Sequence, residues 1–176
     1  VGAGAGSFIR IDPYSKAIKL GPDSAGYRVG MCWADSGLDT VSVSDCHVVL
    51  GYLNPDNFLG GAIKLDVNRA RKYLKEQIAD PLGLTVEDAA AGVIELLDLN
   101  LREYMRSTIS AKGYNPADFV CFSYGGAGPV HTYGYTEGLN FKDVVVPAWA
   151  AGFSAFGCAC AAYEYRYDKS VDVGVG

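Results

Sequence analysis

Four small residues follow a strand-like apolar run between positions 118 and 130, and this segment constrains the fold more than any other. They are Gly125, Gly126, Ala127 and Gly128, and Pro129 comes next. Glycine has no Cβ, so a ligand can approach the backbone here, and the first N–H groups of a following helix would have no partner. Pro129 suits the first turn of such a helix. A strand, a glycine turn and a helix in this order predict contact with an anion or a nucleotide.

The turn matches neither of the two common phosphate-binding motifs. It lacks the G-x-G-x-x-G pattern, and no acidic residue follows about twenty positions later at the end of a second strand. The Gly-Lys-Ser/Thr ending of a Walker A loop is also missing. Glycines of this kind equally suit a helix that only packs close against a sheet. The residues alone therefore do not exclude the interpretation that the turn has a purely structural role.

Length and charge exclude several classes of partner. The chain has 176 residues, 49% of them hydrophobic, and a formal net charge of −5. That length can bury one core and suits one or two small lobes. The negative charge argues against nucleic acid and an anionic membrane surface. Because neither a run of about eighteen apolar residues nor a secretion signal stands out, we expect a soluble, cytoplasmic protein with no membrane partner.

The five cysteines predict reduced thiols rather than disulfides. They are Cys32, Cys46, Cys121, Cys158 and Cys160, an odd number on a chain without a secretion signal. The Cys158-Ala159-Cys160 pair could bind a metal with help from His47, His131 or Cys32, but no second pair completes a zinc-like spacing. Buried small hydrophobic residues are the favoured interpretation, and no metal site is predicted.

The first 64 residues predict a hairpin, loops and one short helix. The predicted hairpin strands are Ser7–Asp12 and Ala17–Leu20, and Gly21–Thr40 is expected to be mostly loop. The segment Val41–Leu53 favours a short helix that begins near Ser42 or Ser44, because a hydroxyl there can cap it.

The region 65–176 predicts helices followed by strand and helix units. Asp66 can cap a helix that runs to about Ala79. Thr85 with Asp88 resembles a capping box at the start of a long central helix that ends near Lys112. The further predicted elements are strand Phe119–Ser123, helix Val130–Glu137, strand Val144–Val146, helix Gly152–Ala162 and strand Tyr165–Val173. Such alternation builds a parallel or mixed sheet, with ligands at the carboxyl ends of its strands.

Five sequence blocks, in their order and spacing, resemble one known family. The blocks are GAGAGS, LGPDSAG, VSVSDCHVVLGYLNPDNFLGG, YGGAGPVH and VPAWAAGFSAFG. They cover Val1 to about Val173 and resemble the hydantoinase A / oxoprolinase family, most closely the ketone carboxylases that act on acetone or acetophenone. The resemblance implies an α/β, ribonuclease H-like fold of the actin/Hsp70/sugar-kinase type, with a mixed sheet and helices on its faces.

The resemblance also implies a place for this chain within a longer protein. Residues 1–176 would be the C-terminal part of a hydantoinase A-like nucleotide-binding region. Within it, 1–64 would form a hairpin and loop-rich part and 65–176 a helical and α/β part.

The same resemblance implies an enzyme that uses ATP and Mg²⁺. In such enzymes a carbonyl or amide oxygen, or bicarbonate, is phosphorylated to make it electrophilic. Ketone carboxylases join an activated carboxyl donor to an enolate and share the work with a subunit similar to hydantoinase B. The second enzymatic interpretation is an ATP-dependent amidohydrolase of the hydantoin or 5-oxoproline type. The non-enzymatic alternative is a scaffold or subunit-binding domain whose turn serves packing alone.

Six small residues receive roles from the resemblance. In the family, the loop that matches Gly125, Gly126, Ala127 and Gly128 lies against the adenosine and phosphates, and Gly4 and Gly6 would flank the phosphate side. Phosphoryl transfer needs positioned N–H donors and a metal that neutralises charge. The acidic, magnesium-organising Asp-x-Gly-Gly-Thr-like motifs of this class precede the matching region and do not occur in this sequence. We therefore expect this segment alone to bind ATP weakly or not at all, without turnover, and assign no catalytic residue.

Five polar residues allow either a functional or a structural interpretation. His131 follows the turn by three residues and could touch a phosphate, although a surface histidine on a helix explains it as well. Asp23 and Ser24 could line a substrate or subunit cleft, or simply form a turn. Asp45 and His47 could belong to a metal site, but a helix cap and an ordinary polar position are the favoured interpretation.

Overall fold

A computed structural model describes Gly2 and residues 4–171 of the chain. Its first elements are the antiparallel strands β1 (Ser7–Ile11) and β2 (Ile18–Ser24). The predicted hairpin is therefore present. However, β2 continues beyond Gly21, where a loop was predicted, because Ser7 pairs with Ser24 across an irregularity in the register.

Helix α1 (Val43–Val49) begins where a hydroxyl cap was predicted and is buried along its whole length. Ser42 and Asp45 form a reciprocal capping box, in which the Asp45 carboxylate accepts the Ser42 N–H at 2.8 Å. The same carboxylate accepts the N–H groups of Met31 at 3.1 Å and Cys32 at 2.6 Å. Asp45 therefore anchors the preceding loop to α1, and its interpretation as a helix cap is confirmed.

Three further helices complete the packed part of the chain. They are α2 (Val67–Leu74), which passes through a π-helical turn at Lys75–Ala79 into α3 (Asp80–Leu82), and α4 (Val86–Ala111). Both predicted caps are present. Asp66 accepts the Arg69 N–H at 2.9 Å. Thr85 accepts the Asp88 N–H at 3.1 Å, which starts the 26-residue helix α4.

The hydrophobic core lies among β1, α1, α2 and α4. Its fully buried apolar side chains include Ile9, Val41, Val43, Leu74, Ile78, Val93 and Leu97. Helix α4 contacts α1 and α2, and also the later helix Thr132–Thr136, so the prediction of a central helix is confirmed. Only the first half of α4 is buried, because the apolar stripe of its second half has little to pack against among the residues described.

The C-terminal part is built on a parallel strand pair. Strand β3 (Val120–Phe122) lies beside β4 (Asp143–Val145), a 3-10 turn (Gly128–His131) and helix α5 (Thr132–Thr136) connect them, and helix α6 (Phe153–Cys160) follows. Each sheet within the described ranges has two strands, so the larger mixed sheet that the resemblance implied is not seen there, whereas the parallel pairing of β3 and β4 agrees with the parallel alternative. The described part of the chain therefore has an α/β fold with small sheets.

The last predicted strand was wrong over residues 165–171, which form no regular structure, and the end of that prediction lies outside the described residues. An alternating pattern favours a strand, but a strand also needs a neighbour to pair with. No neighbouring strand lies beside this segment in the part of the chain that the structure covers.

The parallel pair leaves apolar surface uncovered. Val120, Phe122, Val144 and Val145 are between 36% and 50% exposed. Phe122 stacks on Phe153 of α6, with ring centroids 5.9 Å apart.

In the ranges that the structure describes, no helix has both the length and the apolar character needed to cross a membrane.

Candidate functional site

Two pockets meet at the glycine turn. Pocket A has a volume of about 520 Å³, and Gly6, Ser44, His47, Gly126 and Ala127 line it among mostly apolar neighbours. Pocket B has a volume of about 340 Å³, and its lining includes Gly4, Ala127, Gly128, His131 and Tyr135. Of the six small residues assigned a nucleotide role, all but Gly125 line one of these pockets. The fold thus brings the N-terminal glycines to the turn.

Some backbone N–H groups of the turn lack an acceptor among the described residues. The Gly125 N–H donates to the Ala150 carbonyl at 2.8 Å, so this amide is not available to a ligand. The N–H groups of Gly126 and Ala127 have no acceptor among the described residues. A Cβ built on Gly126 would meet no described atom within 4 Å. The backbone at Gly126 and Ala127 is therefore open to a ligand in pocket A.

The helix that was predicted to follow the turn, Val130–Glu137, is shorter than expected. It is a 3-10 turn followed by only five α-helical residues, Thr132–Thr136. The Val130 N–H already donates to the Ala127 carbonyl at 3.1 Å. The contribution expected from a helix N-terminus is therefore small, because so short a helix aligns few peptide dipoles. The free amides of the turn itself remain as donors.

Two buried histidines and a partly buried aspartate form one hydrogen-bonded chain beside the turn. His131 Nδ1 lies 2.7 Å from Asp98 Oδ1 of α4, and His131 Nε2 lies 2.9 Å from His47 Nε2 of α1. The exposed fraction is 1% for His47 and 4% for His131. His131 is therefore not a surface histidine, and His47 is not an ordinary polar position. Both nitrogens of the His131 ring have partners within the protein.

The hydrogen bonds set the protonation of the histidines. An ionised Asp98 can only accept, so His131 Nδ1 carries a hydrogen. In neutral His131 the Nε2 atom then accepts, which makes His47 Nε2 the donor and leaves His47 Nδ1 with a free lone pair. Burial, with a further contribution from His131, lowers the pKa of His47 from 6.5 to about 4. His47 is therefore neutral near pH 7.

Glycine at position 134 makes room for Asp98. A Cβ at Gly134 would lie 2.7 Å from the Asp98 Cβ, and closer still to its carboxylate. The Gly134 carbonyl accepts from Arg102 Nε at 3.0 Å, and the same guanidinium pairs with Glu137 at 2.8 Å. Arg102 thus ties α5 to α4 beside the carboxylate that orients His131.

Ser123 holds the other side of this arrangement. It is buried at the end of β3, and its Oγ accepts the hydroxyls of Thr132 at 2.7 Å and Tyr135 at 2.5 Å. These bonds fix the segment that carries His131 against β3. Asp98, Gly134 and Ser123 were all missed by sequence reasoning, since their neighbours are distant along the chain. The available signal was that His47 and His131 are the only two histidines in the sequence.

Asp23 and Ser24 do not line pocket A or pocket B. Asp23 forms an exposed ion pair with Arg10, with Oδ2 and Nη1 3.1 Å apart. Ser24 Oγ accepts the Gly26 N–H at 3.1 Å, as in a turn. In the described chain no group of three or more His, Cys, Asp or Glu side chains is placed to hold a metal ion.

The thiols offer no nucleophile at this site. Burial, and next the carboxylate of Asp45, raises the pKa of Cys32 and of Cys46 well above the usual value. Burial alone raises the pKa of Cys121. Cys158 and Cys160 are exposed on α6, away from both pockets, and all five thiols are free. The predicted burial of small thiols is thus right for the first three and wrong for this last pair, because α6 is uncovered.

The turn, the two pockets and the strand pair define an α/β segment with an open cleft. The sequence matches the family described as Hydantoinase/oxoprolinase over residues 1–167. The chain belongs to this family, which confirms the resemblance seen in the sequence blocks.

The similar proteins include an acetone carboxylase and a caprolactamase. The acetone carboxylase beta subunit of Xanthobacter autotrophicus is 78% identical over 175 residues, which are 99% of this chain and 24% of that subunit. A nucleotide-free acetone carboxylase structure has a TM-score of 0.91 at 78% identity, over 99% of this chain and 25% of that one. The structure of the ATP-dependent caprolactamase of Pseudomonas jessenii has a TM-score of 0.78 at 36% identity, over 89% of this chain and 23% of that one. The chain thus spans about a quarter of the length of these relatives.

Proposed function

We propose that this chain forms one wall of the nucleotide cleft in a subunit of an ATP-dependent ketone carboxylase. One observation carries the proposal: Gly6 and the pair Gly126 and Ala127, far apart in sequence, line one open pocket of about 520 Å³. Volumes of this size are typical of small-molecule sites. The 78% identity to an acetone carboxylase beta subunit supports a small ketone as substrate.

The glycine turn would hold the phosphate end of the nucleotide. Gly126 and Ala127 would donate their free N–H groups to phosphate oxygens, as backbone donors do in phosphoryl-transfer sites. Gly4 and Gly6 would flank the same end, and Gly125 and Gly128 would shape the turn. Among the described residues no Asp or Glu side chain lines pocket A, so this wall offers a magnesium ion no carboxylate and no step is assigned to the ion.

The surroundings of pocket A favour a small uncharged substrate. Leu53, Phe58 and Val130 line it, while its side-chain polar groups include Ser44 and His47. These apolar side chains would accommodate the alkyl groups of a small ketone, next to the turn amides that would hold the phosphates. An ATP-consuming reaction of this kind would take place in the cytoplasm.

The fold and the partner belong to the same proposal. The parallel pair β3 and β4, joined through α5, suits one lobe of a ribonuclease H-like fold, and 1–64 and 65–176 would be its hairpin-rich and α/β parts. The named acetone carboxylase relative is a beta subunit, which supports a complex with further subunits. We infer that one of these is similar to hydantoinase B.

An ATP-dependent amide hydrolase is the second candidate. The likeness to caprolactamase supports it, because a cyclic amide is also small and uncharged. The identity of 36% to that enzyme is well below the 78% to the ketone carboxylase, so the ketone is favoured. A scaffold whose turn serves packing alone would need side chains filling the groove, and the open space at Gly126 speaks against that.

Substrate-dependent consumption of ATP tests the proposed function. The complete subunit that carries this chain would be assayed with its partner subunits, Mg²⁺ and ATP, with acetone and bicarbonate in one series and a lactam or hydantoin in the other. Consumption that depends on acetone supports the carboxylase. Consumption only with the cyclic amide would replace it with the hydrolase, and consumption with neither would contradict both.

A further inference from the structure

We propose that His47 is a general base that removes a proton from the substrate in pocket A, and that His131 and Asp98 form the relay behind it. The identity of the substrate, a small ketone, rests on the proposed function. The base and its relay rest on the geometry of three side chains that nothing in the glycine turn requires. They come from α1, the 3-10 turn before α5, and α4.

The three side chains connect pocket A to a partly exposed carboxylate on α4. His47 lines pocket A, His131 lines pocket B, and Asp98 lies behind His131 with 14% of its side chain exposed. The two contacts between them, 2.9 Å and 2.7 Å, are both within hydrogen-bond reach. A histidine pair with only a structural role could be closed off on all sides. Here both rings form part of a cavity wall.

The tautomers give the relay a direction. Neutral His47 has its lone pair on Nδ1, because Nε2–H donates to His131. When Nδ1 takes a proton from the carbon beside the carbonyl, the C–H bond breaks and its electron pair forms the C=C bond of an enolate, whose charge lies on oxygen. The Nε2–H proton of His47 then passes to His131 Nε2. The resulting imidazolium of His131 is stabilised by the carboxylate of Asp98.

The other ionisable groups around His47 are less suited to act as the base. Asp45 and Cys46 are its neighbours on α1. The carboxylate of Asp45 already accepts two loop N–H groups and the Ser42 N–H, and burial raises the pKa of the Cys46 thiol. The Tyr52 ring centroid lies 6.2 Å from that of His47, and Tyr27 is an exposed phenol at the pocket rim. His47 is thus a neutral imidazole in the wall of pocket A at pH 7, and its contact with His131 gives an accepted proton a path onward.

Chemical rescue tests the base. The variant His47→Ala would be prepared in the complete subunit with its partner subunits, and acetone-dependent ATP consumption would be followed with and without added imidazole. We expect kcat to fall roughly 10²- to 10⁴-fold, the usual loss for a general base, while nucleotide binding is retained. Imidazole enters the space next to the open pocket and restores part of the rate. The restored rate rises with the basicity of substituted imidazoles, which a merely space-filling role would not produce.

Substitutions along the relay test its members. Asp98→Asn and His131→Gln are expected to lower kcat by roughly tenfold or more, as for partners that orient a functional histidine, and to leave KM for acetone nearly unchanged. Asp56→Asn is the matched control, since Asp56 is exposed and its side chain pairs only with Lys64 in the described chain. The control should retain the wild-type rate.

Each result decides for or against the relay. A His47→Ala protein with wild-type kcat would overturn the proposal, and so would one whose loss imidazole does not reverse although nucleotide still binds. If His47→Ala does not fold, His47→Gln decides, because glutamine can donate to His131 but cannot take a proton. Wild-type activity in His47→Gln would rule out the base.

The experiments distinguish a wrong substrate assignment from a wrong assignment of the relay. If wild type consumes ATP with a cyclic amide and not with acetone, the function fails, and the same variants and the same imidazole series are run with that amide. The protonation of both histidines is also read without turnover, from deuterium exchange at the histidine C2 position by mass spectrometry. The relay predicts that Asp98→Asn changes this exchange at His131. Unchanged exchange would contradict the relay whatever the substrate.

Discussion

The Nε2 atoms of His47 and His131 lie 2.9 Å apart, although the residues are 84 positions apart in sequence. This contact joins α1 to the segment that follows the glycine turn. It lies at the wall between pocket A and pocket B. The position of the turn and the protonation of His47 are therefore linked through one hydrogen bond.

The burial of His47 predicts a loss of stability in mild acid. Its pKa is about 4 in the folded protein and near 6.5 when exposed, so the unfolded chain binds the extra proton between these values. The free energy of unfolding therefore keeps its full value above pH 6.5 and decreases as pH falls toward 4. For a shift of this size the decrease is at most roughly 3 kcal/mol. Urea unfolding of wild type and His47→Gln at pH 7 and pH 4.5 measures it. The wild-type free energy of unfolding should fall by more than that of the variant, and equal falls would contradict the prediction.

Gly134→Ala should displace Asp98 and destabilise the protein. The added Cβ would overlap the Asp98 side chain, and overpacking of this kind costs about 1–3 kcal/mol. The matched control is Gly92→Ala in α4, where a Cβ would meet no described atom within 4 Å. That control should gain up to about 1 kcal/mol from helix propensity. Thermal unfolding of both variants gives the comparison, and equal melting temperatures would show that Asp98 can move freely.

Two capping aspartates should differ in their contribution to stability. Asp45 is fully buried and accepts the N–H groups of Met31, Cys32 and Ser42, so Asp45→Ala leaves buried donors without partners at about 1–3 kcal/mol each. Asp66 is exposed and accepts one N–H, from Arg69, so Asp66→Ala should cost about 1 kcal/mol. Chemical denaturation measures both. A smaller loss for Asp45→Ala than for Asp66→Ala would contradict the anchoring role of Asp45.

Local sequence patterns predicted the helix starts well. Ser42, Asp66 and Thr85 each cap a helix where a hydroxyl or carboxylate precedes an apolar run, because a cap depends on residues within one turn. The glycine turn and the N-terminal glycines were likewise recognisable, and the fold places Gly6 beside Gly126 in pocket A.

Features that depend on distant neighbours could not be predicted in this way. The hydrogen bond between His47 and His131 requires the packing of α1 against the turn, and the position of Asp98 requires Gly134 on another helix. The strand predicted to begin at Tyr165 shows the same limit, since alternation along the chain does not supply a partner strand.

Nucleotide binding by glycine variants tests the central claim most directly. Mg-ATP would be titrated calorimetrically into the complete subunit as wild type, Gly126→Val and Gly128→Val. Gly152→Val is the control, since its added Cβ also meets no described atom within 4 Å and it lies outside both pockets. We predict that the control binds as wild type while both turn variants lose at least about tenfold in affinity, or roughly 1.4 kcal/mol. Wild-type affinity in Gly126→Val, with the fold intact, would show that the nucleotide does not lie at this turn.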